Sequence, residues 1–222
     1  VVVASGAQLV VTGTAQKLLG TTLTNQGTIN YTGTQWFFGS AINAPGILNN
    51  QPGGLLIADG EGDIQPNHAP PNQGCNNQGT VRHTGAGTTI IGVPFNSNGG
   101  VVEVLAGNIA LSGGGSTTSF TAAAGTVSVT GGVFQLEAGA SINGPGTFRI
   151  DSGTLQGFGN ASFATNVVLA GGTLTGDLTI VTGQMTWEAG VMQGPGEVVV
   201  ASGAQLVVTG TAQKLLGTTL TN

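Results

Sequence analysis

The chain has 222 residues, of which 41 are glycine, 39% are hydrophobic and 6% are charged, and its formal net charge is −5. High hydrophobicity with so few charges excludes an intrinsically disordered segment, and glycines without a three-residue period exclude collagen. Four basic residues cannot neutralise a phosphate backbone, so we expect no nucleic-acid partner. No apolar run approaches the roughly 20 residues of a membrane helix, so we expect no membrane span in this segment.

The first 25 residues, VVVASGAQLVVTGTAQKLLGTTLTN, recur without change at residues 198–222. Identity over this length, at an offset of 197 residues, indicates a tandem array. We therefore interpret residues 1–222 as one continuous segment, made of a 197-residue period and a 25-residue overlap. Neither end has a polar cap, and we expect the parent sequence to continue after Asn222 with another copy of Gln26-Gly27-Thr28.

A shorter motif lies inside this period and consists of Gly, any residue, an apolar residue, any residue, and an apolar or aromatic residue. Two apolar positions that are two residues apart lie on the same face of a strand. The spacings run from 20 to 30 residues, and a last step of 28 residues to the next copy of Gly27 completes the 197-residue period, which predicts about eight coils per period. The motif begins at Gly27, Gly53, Gly79, Gly100, Gly125, Gly146, Gly176 and Gly196.

Short strands separated by glycine turns predict an all-β fold, namely a parallel β-helix or β-solenoid. Each coil of a solenoid buries its apolar face by stacking on its neighbours, which requires a common register from coil to coil. Glycine is expected at the corners because a sharp turn requires positive φ. A β-sandwich or barrel is the competing fold, but its antiparallel hairpins require no shared motif in every turn.

The polar stretch DGEGDIQPNHAPPNQGC at 59–75 is predicted to be a loop insertion in the solenoid. Single glycines separate Asp59, Glu61 and Asp63, whose three carboxylates could surround a calcium ion. The alternative, which we favour, is a solvated loop at a corner and a chain without a cofactor.

A zinc site formed by His68, Cys75 and His83 is also conceivable. Their spacing matches no zinc motif, and the residues offer no fourth ligand. We therefore interpret His83 as a packed, hydrogen-bonded histidine beneath the predicted insertion.

Trp36-Phe37-Phe38 places aromatic rings alternately on the two faces of a strand. If Trp36 and Phe38 face outward, they could contact a glycan or a neighbouring filament, because aromatic rings contribute strongly to interfaces. Burial beneath an insertion is the alternative.

Three asparagines, Asn25, Asn77 and Asn98, each precede a motif glycine by two residues. Amides aligned on stacked coils can hydrogen-bond along the axis, as in cross-β assemblies. We predict that these three residues form a structural ladder, which is compatible with the ordinary preference of asparagine for turns.

The phrases NQGTI, GGTLTGDLTI, GPGTFRIDSGTLQGFG and GPGEVVVASGAQLVV resemble the passenger domains of autotransporters and filamentous-haemagglutinin-like bacterial surface proteins. The resemblance covers nearly the whole chain in composition and rhythm. It implies a right-handed parallel β-helix, a bacterial source, an extracellular or cell-surface location, and an adhesive or structural role. It assigns no catalytic residue.

These features favour a structural role, namely an extracellular filament or adhesin stalk whose solenoid periods stack end to end and could also associate laterally. We expect no enzyme activity. A β-helix protein that binds or degrades polysaccharides is the alternative, although Arg82 and Arg149 are the only basic residues outside the duplication. An ice-binding solenoid is a third reading, based on Thr28, Thr80, Thr126 and Thr147 at the second motif position.

Overall fold

A computed structural model describes residues 1–40, 44–67 and 73–222. Within these ranges the chain forms 24 β-strands and no helix, so it contains no helix long and apolar enough to cross a membrane. The strands are β1 (Val2–Val3), β2 (Gln8–Val11), β3 (Lys17–Leu19), β4 (Thr22–Asn25), β5 (Thr28–Tyr31), β6 (Gln35–Phe38), β7 (Gly46–Asn50), β8 (Leu55–Ala58), β9 (Asp63–Pro66), β10 (Gln73–Asn77), β11 (Thr80–His83), β12 (Thr88–Ile91), β13 (Phe95–Ser97), β14 (Val101–Val104), β15 (Asn108–Leu111), β16 (Gly115–Ala122), β17 (Thr126–Val129), β18 (Val133–Ile150), β19 (Thr154–Leu169), β20 (Thr173–Thr182), β21 (Gln184–Trp187), β22 (Gly190–Val200), β23 (Gln205–Val208) and β24 (Lys214–Thr221).

The strands stack in parallel on three faces, which the chain visits in turn. On the first face Val2 is the partner of Thr24, Thr24 of Asn49, and Asn49 of Asn76. This pattern of parallel neighbours one turn apart defines a β-solenoid and confirms the predicted fold class. The first face begins with β1, β4, β7, β10 and β13, the second with β2, β5, β8, β11 and β14, and the third with β3, β6, β9, β12 and β15.

In the second half of the chain, single long strands bend around the corners. β18 contributes residues 134–136 to the first face, 141–143 to the second and 147–150 to the third. The pairing register shifts where such strands change face, for example between Asn143 and Thr147. Loops connect the faces at the start of the chain, and continuous strands connect them later.

Alternate side chains of each strand point into one continuous core. In seven of the eight motif units the third and fifth residues are buried, as predicted; examples are Val102 with Val104 and Phe148 with Ile150. The Gly53 unit is the exception, because Leu56 and Ala58 are buried there instead of Leu55 and Ile57. The turn after Asn50 is longer at this corner, so Gly54 rather than Gly53 precedes the strand.

The glycine at the start of the motif avoids a collision with the preceding coil. A Cβ added at Gly27 would overlap the carbonyl oxygens of Ala4 and Ala7, and Gly79 has equivalent surroundings two coils further on. Neither residue has a positive φ, so the expected conformational reason is wrong at these two positions. It does apply to Gly53, whose φ is 84° and whose side-chain position is open.

Nine and one-third coils separate the two copies of the 25-residue repeat. Counted along the chain, residues 198–200 lie 28 face-to-face steps after β1, with three steps in each coil. The predicted count of about eight coils is therefore not confirmed. The motif moves from the second face at Gly100 to the third face at Gly125, so one motif spacing is not always one coil.

Part of the predicted loop insertion belongs to the solenoid. Within 59–75, β9 pairs with β6 and β12 on the third face, and its Ile64 is buried. Residues 73–75 begin β10 on the first face. Residues 59–62 connect β8 to β9, and residues 68–72 lie outside the described ranges. The many polar residues and prolines of this stretch concealed the single buried isoleucine that anchors it.

Candidate functional site

A buried row of carboxamides follows the edge of the first face. Asn25, Asn50 and Asn77 occupy the last position of successive strands and have almost no exposed surface. Asn25 Nδ2 donates a hydrogen bond to Asn50 Oδ1, and Asn50 Nδ2 donates to Asn77 Oδ1, both at 2.7 Å. Asn77 Nδ2 donates to Ser97 Oγ at 2.9 Å, where the row of carboxamides ends. We call these four residues the inner row.

The inner row also connects the first face to the second. Asn25 Nδ2 donates to the carbonyl oxygen of Leu55 at 3.1 Å, and Asn50 Nδ2 donates to that of Thr80 at 3.0 Å. Each amide therefore bonds both its counterpart in the next coil and the backbone beyond the corner. Buried polar groups require such partners because an unsatisfied one is costly. The row thus holds successive corners in register.

The predicted ladder differs from the inner row at two positions. Asn25 and Asn77 belong to the row, but Asn98 is exposed and donates to Ser116 Oγ at 3.1 Å. Ser97 takes the place predicted for Asn98. The inner-row residue of this coil lies three residues before its motif glycine, Gly100, whereas Asn25 and Asn77 lie two residues before theirs. Asn50 was missed because the longer turn places it four residues before Gly54. The shared pairs Asn49-Asn50 and Asn76-Asn77 were the available signal in the sequence.

An outer row of carboxamides runs beside the inner row on the exposed side of the first face. Asn76 Nδ2 donates to Asn49 Oδ1 at 2.9 Å, and Asn96 Nδ2 donates to Asn76 Oδ1 at 3.2 Å. These residues line a shallow groove of about 390 Å³ whose seven lining residues are all Asn or Gln. We call this surface the carboxamide groove. It offers uncharged donors and acceptors to a ligand and no charged group.

Trp36 and Phe38 lie in the core rather than on the surface, which corrects their assignment as contact residues. Both are buried, and their ring centroids are 5.3 Å apart in an edge-to-face arrangement. Trp36 also lies 5.5 Å from the ring of Tyr31. Phe37 is the ring of this strand that faces outward, and it is half-buried. The predicted alternation of aromatic rings is confirmed, but Trp36 and Phe38 are the inward residues and Phe37 is the outward one.

The three carboxylates considered for calcium do not converge. Asp59 accepts hydrogen bonds from the backbone nitrogens of Thr84 and Gly85, at 2.5 and 3.0 Å. Asp63 accepts a hydrogen bond from Gln65 Nε2 at 2.5 Å on the third face, and Glu61 is exposed. In the ranges that the structure describes, no three His, Cys, Asp or Glu side chains form a group suited to a metal ion. The geometry gives the calcium hypothesis no support.

Asp59 instead fastens one coil to the next. Burial raises the pKa of this carboxyl, but hydrogen bonds from Thr84 and Gly85 and the nearby His83 more than offset burial, so the pKa lies below its ordinary value. The His83 Nδ1 atom is 3.5 Å from Asp59 Oδ1 and bonds the carbonyl oxygen of Ala58. His83 is thus packed and hydrogen-bonded.

Of the residues considered for zinc, the structure describes Cys75 and His83. Cys75 is completely buried on the first face, where its strand neighbours are Leu48 and Phe95, and burial raises the pKa of its thiol to about 12. A neutral buried thiol is a poor metal ligand and nucleophile. His68 lies outside the described residues.

The basic residues and the threonines are distributed over different faces. Arg82 on the second face pairs with Glu103 at 2.8 Å, and Arg149 on the third pairs with Asp151 at 2.5 Å. Both cations are thus engaged in separate ion pairs. Thr28, Thr80, Thr126 and Thr147 do not form one row, because the first two lie on the second face and the others on the third.

The architecture defines the class of the protein as a parallel β-solenoid. Comparison of the chain with protein-family models, curated proteins and solved structures gave no significant match.

Proposed function

We propose that this chain is a segment of a structural filament or adhesin stalk, in which solenoid periods of one chain stack end to end. The supporting observation is that the duplicated 25 residues keep the same internal pairing register in both copies. Val2 is the partner of Thr24, and in the second copy Val199 is the partner of Thr221. An element that repeats with its register intact can continue from period to period.

Side-chain contacts in the two copies also agree. Lys17 Nζ donates to the carbonyl oxygens of Gly13 and Ala15, at 2.9 and 2.6 Å. Lys214 repeats this arrangement with the corresponding Gly210 and Ala212, at 3.2 and 3.0 Å. The corner before β3 therefore has the same lysine contacts as its counterpart before β24, although different coils lie beside the two copies.

The resemblance of the sequence to bacterial surface proteins supports an extracellular or cell-surface location in a bacterium. It also supports right-handed winding of the solenoid. We propose a mechanical role, because each coil adds buried apolar side chains to a continuous core, each contributing roughly 1.5–3 kcal/mol before entropy. Such a rod gains length without requiring a new kind of contact.

A test of this proposal is to append residues 26–222 directly after Asn222 and to measure the shape of the extended chain by small-angle X-ray scattering. At about 4.8 Å per coil, the extra period should lengthen the rod by about 45 Å and leave its cross-section unchanged. Two separate lobes joined by a flexible connection would contradict end-to-end stacking.

Binding of a neutral polysaccharide is a second candidate function, and the carboxamide groove favours it. Uncharged amides can exchange hydrogen bonds with the hydroxyl groups of an uncharged sugar chain. We expect the double variant Asn76→Ala/Asn96→Ala to weaken binding of a soluble neutral glucan in isothermal titration calorimetry. Asn143→Ala, which changes an exposed amide on the second face, is the control. Equal binding by all three proteins would exclude the groove.

A further inference from the structure

The two copies of the 25-residue repeat differ in what covers them. In the first copy the inward side chains of Val11 and Leu19 are each 8% exposed, because Tyr31 and Phe38 of the next coil are their strand partners. In the second copy the same side chains, Val208 and Leu216, are 59% and 47% exposed. Residues 198–222 form the last coil of the solenoid, and we call its uncovered surface the lower end.

The partner that fits the lower end is identified by the first copy. Identical residues with an identical internal register present the same backbone edge and the same apolar side chains. The strands β5, β6 and β7 cover that surface in the first copy through parallel pairs that run from Gln8 with Thr28 to Asn25 with Asn50. We infer that the lower end binds the strands β5, β6 and β7 of a following period of this chain.

This inference rests on the proposed function and adds a rotation to it. β1 lies on the first face, whereas the corresponding residues 198–200 lie on the second. β2 lies on the second face, whereas its counterpart β23 lies on the third. Each period therefore ends one face further around the axis than it begins.

A continuous array consequently has a threefold pattern. Each period rises about 45 Å and turns by one third of a coil, in addition to any twist between coils. The same face returns after three periods. The carboxamide groove of successive periods opens toward each of the three sides, so a filament presents this surface in every direction rather than along a single edge.

The inner row also becomes periodic in this arrangement. Asn222 corresponds to Asn25, which donates to Asn50 and so starts the row in the first copy. In a following period Asn222 would begin the next inner row, one face away from the previous one. The corner that these amides hold in register thus moves around the rod by one face per period.

Disulfide formation in the extended chain, 1–222 followed by 26–222, tests the junction. Val10 is the partner of Asn30 inside the chain, so Val207→Cys should meet Asn30→Cys of the appended period, in a Cys75→Ala background. Partner positions on neighbouring strands are about 4.8 Å apart, within the range of a disulfide. After mild oxidation, we expect the linked peptide in most molecules by mass spectrometry.

Two control pairs accompany this test. Val10→Cys with Asn30→Cys of the first period is the positive control, because the structure already contains this pair. Val207→Cys with Thr28→Cys of the appended period is the negative control. Those positions are offset by two residues and lie about 8 Å apart, too far for a disulfide.

Electron cryo-microscopy of the same extended chain tests the rotation. We expect 28 strand steps from each copy of the repeat to the next and each copy displaced by one face. A lengthened rod without the junction disulfide, or with all copies on one face, would overturn this inference and leave end-to-end stacking intact. Two unstacked lobes would overturn both, so the two failures are distinguishable.

Discussion

Asn25 and Asn50 share a hydrogen bond of 2.7 Å between buried side chains, although they lie on different coils and 25 residues apart in sequence. The bond exists because one turn of the solenoid places the two strand ends directly above each other. Asn50 in turn donates to Asn77, so the middle amide both accepts and donates along the axis.

Asn50→Ala should therefore destabilise the protein by about 2–3 kcal/mol, because it removes the hydrogen bonds of Asn50 with Asn25, Asn77 and the Thr80 carbonyl and leaves Asn77 Oδ1 without its donor. Urea unfolding followed by circular dichroism measures this change. Asn76→Ala, on the outer row, is the matched control and should cost less than about 1 kcal/mol. Equal losses for both variants would show that the inner row has no special role.

Gly79→Ala tests the close approach of one coil to the next. An added methyl group would overlap the carbonyl oxygens of Gln51 and Gly54, so we expect a loss of about 3 kcal/mol from overpacking. Gly53→Ala is the control, because its side-chain position is open and only its φ of 84° opposes alanine. That variant should lose about 1–2 kcal/mol. Thermal unfolding measures both losses. A greater loss for Gly53→Ala than for Gly79→Ala would show that positive φ is the dominant constraint.

Trp36→Ala and Phe37→Ala test the parity of β6. Trp36 is buried between Tyr31 and Phe38, so its truncation should cost about 3–5 kcal/mol through cavity formation. Phe37 faces outward, and its truncation should cost about 1 kcal/mol or less. Chemical unfolding compares the two directly, and a greater loss for Phe37→Ala would reverse the assignment of inward and outward rings.

Because the thiol of Cys75 is buried, we expect the protein to lose stability at high pH. Its pKa is raised to about 12 in the folded state, whereas a thiol in an unfolded chain ionises near pH 8.5. Its contribution is therefore fully present below about pH 8.5 and is lost as the pH rises toward 12. Cys75→Val should flatten this part of the dependence of the melting temperature on pH.

Tyr31 should act in the same direction at higher pH. Burial and the nearby Asp63 carboxylate raise the pKa of its hydroxyl to about 12, from an ordinary value near 10. Tyr31→Phe should therefore change the pH dependence of stability only above about pH 10. Unchanged alkaline profiles in both variants would contradict the burial of these two groups.

Much of the fold could be predicted because its signals are local. Apolar residues two apart in the motif identified the inward positions of seven units, and the repeated glycines marked the corners. The Gly53 unit failed because one longer turn shifted Leu56 and Ala58 into the core, and no local preference distinguishes Leu55-Ile57 from that pair. Trp36 and Phe37 present the same problem, because alternation alone does not say which side faces inward.

The candidate site was less predictable because it is formed by residues from different coils. Asn25 and Asn77 were recognised through their spacing from a glycine, but Asn50 joins them only because of the pairing register between β7 and its neighbours. The carboxamide groove likewise depends on Asn49, Asn76 and Asn96 being stacked. Side chains 20 and 27 residues apart become neighbours only when the coil lengths are known.

The sequence by itself determined that strands stack in parallel, that the 25-residue segment repeats, and which kinds of residue form the core, because these follow from alternation, glycine placement and identity. Only the tertiary structure decided that nine and one-third coils separate the two copies. The physical reason is that a motif records where a strand begins but not which face it joins. That choice depends on corner lengths and on the hydrogen-bond register with the coil before it.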